Sequence, residues 1–186
     1  MTKFILHGGN AKEINEDNDS FFHEMTLGTT GKARILLNYF SREDDEVIQC
    51  AEQDKERILQ TSDNKKLVFD IATPSTMEKQ LCTCNVMYMR GGETSRLTNK
   101  MRTVPHLQKL FNSKVIAGSS AGVYVLSKYY WENDTLALGE GLGIFNLKAY
   151  CHYQPSDKEI VSRILKYKED LPLLALPNYK WIILYR

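Results

Sequence analysis

Lys114–Tyr124 reads KVIAGSSAGVY. Val115, Ile116 and Ala117 form a short apolar run, the pattern of a buried strand, and Val123–Leu126 reads as the start of a helix. Between them lies Gly118-Ser119-Ser120-Ala121-Gly122, a Gly-x-Ser-x-Gly turn. Such a turn between a strand and a helix is the nucleophile-elbow pattern. The bend is sharp, so the residues two before and two after the serine must be small. It lifts the Ser120 hydroxyl over the sheet edge and aims the Ala121 N–H at the place where an oxyanion would form. The helix N-terminus adds partial positive charge. A Gly/Ser-rich turn without chemistry is the competing reading, and the flanking strand and helix favour the elbow.

Outward from this stretch, the first two thirds of the chain alternate strand and helix. Phe4–Leu6, Ala33–Tyr39, Leu67–Ile71 and Val86–Met89 read as strands. A helix is expected over Asp17–Thr26, capped by Asp19 or Ser20. A second is expected to start at Ser41–Asp44, with acids in its first turn. Its apolar stripe runs through Val47, Cys50, Ala51 and Ile58, with Asp54 as a single polar break. A short helix follows Thr73-Pro74-Ser75, and further helical faces carry Leu97, Met101, Leu107, Leu110 and Phe111. Short βα connections of this kind imply a parallel sheet with helices on both faces. Beyond the elbow the pattern is less regular. Tyr129–Leu138 is polar and aromatic, Leu138–Gly143 reads as a loop, and Leu147–Tyr153 is strand-like. Ser156–Lys168 reads as a helix, and Leu173–Leu176 and Trp181–Tyr185 read as strands. The expectation is a three-layer α/β/α sandwich with a mainly parallel central sheet, one domain over residues 1–186.

Composition narrows the function classes. A formal net charge of +1 gives no basic field for nucleic acid. No apolar run reaches membrane-spanning length, and MTKFILHGGN is too short in apolar residues for a signal-peptide core. A cytoplasmic location is the expectation. Cys50, Cys82, Cys84 and Cys151 form no C-x-x-C pair, so reduced, packed thiols are expected and no metal or cofactor is called for.

A serine nucleophile needs a base within hydrogen-bond reach, and the base needs an orienting partner. Four histidines are available. His23 falls in a helix, and His106 follows Pro105 at an exposed helix start. His7 ends the first strand, where ligands sit in open α/β sheets. His152 follows the elbow in Tyr150-Cys151-His152-Tyr153 and is the favoured base, with a packed core histidine as the alternative. A second oxyanion donor is expected from Arg90-Gly91-Gly92, at the end of the neighbouring strand.

Four stretches together resemble the peptidase E / cyanophycinase family of serine peptidases, which has a class I glutamine amidotransferase-like fold. VIAGSSAGVY resembles its nucleophile stretch, VMYMRGGETSRL its Gly-Gly-Gly-Asn-Thr turn, KAYCHY its histidine stretch and LPNYKWIIL the stretch of its third catalytic acid. The matches occur in family order. The resemblance implies Ser120 as nucleophile, His152 as general base and then acid, and Gly92 and Ala121 as oxyanion donors. Gly91, Glu93 and Ser119 are the implied substrate contacts. Family members cleave dipeptides with an N-terminal aspartate or a β-linked aspartate–arginine polymer, and occur as monomers and dimers. The implied partner is a small peptide or acyl substrate.

The chain departs from the pattern at several points. Arg90 stands for the first glycine of the turn and Glu93 for its asparagine. Asn178 stands for the acid. Its side-chain oxygen can orient an imidazole, as in Cys-His-Asn sites, without neutralising an imidazolium. Asp134, after Asn133, is the other candidate for orienting His152. No arginine stands where the family holds an aspartate side chain, and Lys158 is only a loose match. Three functions stay open on sequence: a serine peptidase, a binding or regulatory module with a weakened site, and an esterase. A glutaminase is disfavoured, because that branch uses cysteine where this chain has Ser120.

Overall fold

Adjacent residues of the same strand bury into different cores, and this makes the layers. The computed structural model describes residues 1–186. β1 (Lys3–His7), β2 (Ala33–Asn38), β3 (Leu67–Ile71), β4 (Val86–Met89) and β5 (Val115–Ser119) run parallel, and β10 (Trp181–Tyr185) pairs antiparallel with β1. The order is β10-β1-β5-β4-β2-β3. On one face Ile5, Ile35, Leu37, Tyr88 and Ala117 pack against Phe21, Phe22, Cys50 and Ile58. Those residues belong to α1 (Glu16–Thr26) and α2 (Val47–Thr61). On the other face Phe4, Leu6, Leu36, Met87 and Ile116 meet Met77, Leu81, Leu97, Leu107 and Val123. These come from α3 (Met77–Thr83), α4 (Thr94–Arg102), α5 (Leu107–Leu110) and α6 (Ala121–Leu126). Strands covered on both faces carry near-continuous apolar runs rather than alternation, which is why ARILLNY and VMYM read so clearly. The expected mixed α/β, mainly parallel architecture is the observed one.

The irregular stretch after the elbow is a second, four-stranded sheet. It contains β6 (Ser127–Glu132), β7 (Ala137–Glu140), β8 (Phe145–Cys151) and β9 (Leu173–Leu176), in the order β7-β6-β8-β9. Tyr130, Ala149, Cys151 and Leu176 bury into the α6 side of the core. Trp131 and Tyr150 face the other way, onto Ile164 of α7 (Lys158–Leu165). The loop expected at Leu138–Gly143 is therefore half strand. Gly139 and Gly141 serve close packing, since a Cβ on Gly139 would lie 2.3 Å from Tyr130 Cζ and one on Gly141 2.3 Å from the Ser127 carbonyl.

Two helix starts differ from expectation. Asn15, not Asp19 or Ser20, caps α1, its side chain accepting from the Asn18 N–H. α2 begins at Val47, after the Ser41–Asp44 segment. Ser41 cannot cap it because its hydroxyl donates to the Arg90 carbonyl at 2.7 Å. No helix is long and apolar enough to cross a membrane.

Candidate active site

The loops leaving the carboxyl ends of β1, β4, β5, β8 and β9 converge, the usual position of a ligand site in an open α/β sheet. Ser120 sits between β5 and α6 with φ 50° and ψ −103°. Positive φ at a non-glycine residue costs about 1–3 kcal/mol and persists only where surroundings enforce it. Here they do. A Cβ on Gly118 would come within 2.7 Å of Gly122 C, and one on Gly122 within 2.7 Å of Met89 O. The small residues let the turn close, and the Ser120 N–H is held by the His7 carbonyl at 3.0 Å. Asn10 (φ 59°), His152 (φ 59°) and Tyr179 (φ 68°) are strained in the same sense around it.

His152 follows β8 and meets the serine. The Ser120 Oγ–His152 Nε2 distance is 2.9 Å, and His152 Nδ1 lies 2.6 Å from Asn178 Oδ1. Asn178 Oδ1 can only accept, so Nδ1 carries the proton and Nε2 is left to accept from the Ser120 hydroxyl. Asp134, the other candidate for this place, does not take it. It is exposed in the β6–β7 turn, and the ring nitrogen it was expected to meet is occupied by Asn178. Its neighbour Asn133 reaches inward instead, donating to the Cys151 carbonyl at 3.0 Å.

The glycine turn after β4 lies alongside. A Cβ on Gly91 would be 3.3 Å from Ser120 Cβ, so the two backbones are in contact. Gly92 has φ 151°, and a side chain there would strike the Ser41 carbonyl at 2.5 Å. The N–H groups of Gly91, Gly92 and Ala121 find no acceptor in the protein. Gly91, Gly92, Ser119, Ser120 and His152 share a pocket of about 190 Å³. Its charged walls are Lys12, Arg42 and Arg90, with no carboxylate among the lining residues. Arg42 Nε is buried without a partner. Glu93 lies beyond this pocket, where its carboxylate accepts from Ser95 Oγ, and it lines a separate acidic hollow with Glu132 and Asp134. Of the expected substrate contacts, Gly91 is at the serine, Ser119 adjoins it but turns its hydroxyl inward to His7 Nδ1 at 3.3 Å, and Glu93 is turned away. No three His, Cys, Asp or Glu side chains converge to hold a metal ion.

Three supporting groups were not legible as such. Arg90 is buried against Asp54, 2.9 Å away, and also donates to Gln53 Oε1. The polar break in the α2 stripe is thus the counter-ion of the residue that replaces glycine. Tyr39 donates to the other Asp54 oxygen at 2.9 Å, and burial with this carboxylate drives the phenol far up from its ordinary range. His7 is wholly buried with its Nε2 2.8 Å from Asn18 Oδ1. Burial holds its pKa down to about 4, against a partial offset from Asn18. Finally, Gly9 backs the His152 ring, where a Cβ would overlap His152 Cε1 at 2.1 Å. His23 and His106 stand elsewhere. His23 Nδ1 is 2.9 Å from the Thr61 carbonyl, and His106 is exposed. Cys151, next to His152, is fully buried, which pushes its thiol up and away from reactivity.

Among solved structures, the chain is similar to a candidate peptidase E protein from Listeria monocytogenes EGD-e. The TM-score is 0.69 at 17% identity, over 99% of this chain and 94% of that one. It is also similar to a peptidase from an acI-B1 Actinobacterium, with TM-score 0.71 at 16% identity, over 98% and 83% of the two chains. At these identities the likeness is one of fold. No curated protein matches the sequence. The family model of peptidase family S51 matches residues 5–185, from β1 to β10 and across every loop that builds the pocket. The chain belongs to peptidase family S51.

Proposed function

We propose that the protein is a serine peptidase that hydrolyses a small peptide or isopeptide amide at Ser120. Membership of family S51 supports a peptidase function. The observation that carries the finer reading is the unbroken file Ser120–His152–Asn178, with contacts of 2.9 and 2.6 Å. In the proposed reaction Ser120 Oγ attacks the amide carbon while His152 Nε2 takes its proton. The Ala121 and Gly92 N–H groups receive the oxyanion. His152 then gives the proton to the leaving amine, and water releases the acyl group by the same steps. Asn178 keeps the imidazole in the productive tautomer but does not neutralise its charge.

The lining of Lys12 and Arg42, with Arg90 already paired to Asp54, favours a substrate with a carboxylate near the scissile bond. A fluorophosphonate probe tests the chemistry. Covalent labelling of the wild type that disappears in Ser120→Ala is the expected result, and a folded wild type that does not label overturns it. The second reading, a binding module with a weakened site, has one observation in its favour, the neutral Asn178. Absence of labelling together with binding of an acidic dipeptide would establish it. Comparing amide and ester substrates with the same acyl group separates peptidase from esterase.

A further inference from the structure

Behind the Ser120–His152–Asn178 file stands a second one built of the same three residue types. Ser119 Oγ lies 3.3 Å from His7 Nδ1, and His7 Nε2 lies 2.8 Å from Asn18 Oδ1. It is sealed: His7 and Asn18 have no exposed surface and Ser119 has 3%. The Gly9 N–H also donates to His7 Nδ1, at 3.1 Å, so the ring must carry its proton on Nε2. Asn18 Oδ1 accepts that proton, and its amide group donates to the Asn10 and Glu13 carbonyls at 2.9 and 2.8 Å. The tautomer of His7 is therefore set from one side and used on the other. A solvent-free serine has no substrate to attack, so this file does not perform a second reaction.

What it does hold is the turn Gly8-Gly9-Asn10, and that turn touches His152 and the residues that follow Asn178. The Gly8 carbonyl accepts the His152 N–H at 2.8 Å. The Gly8 N–H donates to the Lys180 carbonyl at 2.8 Å, and the Tyr179 N–H to the Gly9 carbonyl at 3.1 Å, which fixes the loop carrying Asn178. Gly9 lies flat against the His152 ring. The His7 carbonyl itself takes the Ser120 N–H. An apolar ring at position 7 would fill the same space, against Phe21 at 4.5 Å, but would leave the Gly9 N–H and Asn18 Oδ1 buried without partners.

We propose that His7, held by Asn18 and Ser119, is a positioning residue that sets the glycine turn on which His152 and Asn178 are aligned to Ser120. The inference rests on the reading of Ser120 and His152 as the reacting pair. It is tested on the full chain by the two constants of fluorophosphonate inactivation, kinact and KI, and by the proton resonance of His152 Nδ1–H. His7→Phe is expected to lower kinact about 10–100-fold, the effect of a small misalignment, with KI within about twofold and the His152 resonance broadened or lost. His7→Asn, which keeps an acceptor near the Nδ1 place, is expected to recover most of kinact. A His7→Phe protein with wild-type kinact and an unchanged His152 resonance overturns the proposal, as does a folded His7→Asn that loses as much as His7→Phe. If His7→Phe does not fold, Asn18→Leu decides. It leaves the His7 Nε2–H without its acceptor and releases the ring from α1, and unchanged kinact there overturns the proposal. If the wild type is not labelled at all, the reading of Ser120 fails by itself. The His152 resonance in wild type and His7→Phe then still reads the positioning, an unchanged signal counting against it.

Discussion

Asn178 occupies the place where a carboxylate would both orient His152 and stabilise its cation. The geometry is already right for one of those two tasks. Asn178→Asp is therefore expected to raise kcat by at least about tenfold, worth ~1.4 kcal/mol in the barrier, and Asn178→Ala to lower it. Turnover of an acidic dipeptide by the three proteins checks the order. His7 makes a prediction of a different kind. Its pKa falls from 6.5 to about 4 on folding, chiefly through burial. The unfolded chain thus binds a proton below pH 6.5 that the folded chain refuses until about pH 4. Stability contributed by neutral His7 is complete above pH 6.5 and is lost progressively down to about pH 4. The full loss is about 3 kcal/mol. Urea unfolding across this window is expected to show the slope in the wild type and a flatter one in His7→Phe. Asp17 and His152 act on the ring in opposite senses and are weaker influences than burial.

At the scale of elements, the turn between β5 and α6 is held shut by contacts that leave no room for a methyl group. Gly118→Ala is expected to destabilise the protein by about 1–3 kcal/mol and to abolish probe labelling even where the fold survives, because Ser120 can no longer hold φ 50°. Thermal denaturation and labelling of the same sample check both parts. This turn was legible in the sequence because its chemistry is local: five consecutive residues, with a strand before and a helix after. Its neighbours in space were legible only partly. VMYMRGG and KAYCHY showed a strand ending in a useful residue, while their distance from Ser120 depends on loops with no local pattern. Asn178 and Asp134 stood level on sequence, and only the course of the β9–β10 loop separates them. Asp54 read as an imperfection in a helix stripe, since its partner Arg90 lies 36 residues away. The second sheet was obscured because β6 mixes lysine and tyrosines, and β7 carries Gly139, which packs against the Tyr130 ring, with Gly141 and Gly143 close behind. The α1 cap was missed by four or five residues, since Asp19 and Ser20 are as good capping residues as Asn15.

At the scale of the molecule, the buried Arg90–Asp54 pair ties α2 to the end of β4, with side chains 8% and 5% exposed. Its role is to seat the Gly91-Gly92 turn rather than to add net stability, because desolvation offsets much of the attraction. Removing one partner is another matter. Asp54→Ala leaves a guanidinium uncompensated in the core and is expected to cost about 3–5 kcal/mol, or roughly 6–20 °C in Tm. A calorimetric scan showing a shift under 3 °C would count against this account of the pair.

The pairing of β1 with β10 joins Lys3 to Tyr185 and His7 to Trp181, and with it the loop carrying Asn178 is held to the Gly8-Gly9 turn. Such contacts are among the last a folding chain can make, since a long loop must close before they reward it. Compact species in which the β1–β5 core has formed would therefore hold Ser120 with no Asn178 in place to orient His152. The proposed site would come into being as an event of completion, so a growing or half-folded chain would carry Ser120 without its full file, and the onset of labelling during refolding would time the moment at which residues near 3 and near 185 meet.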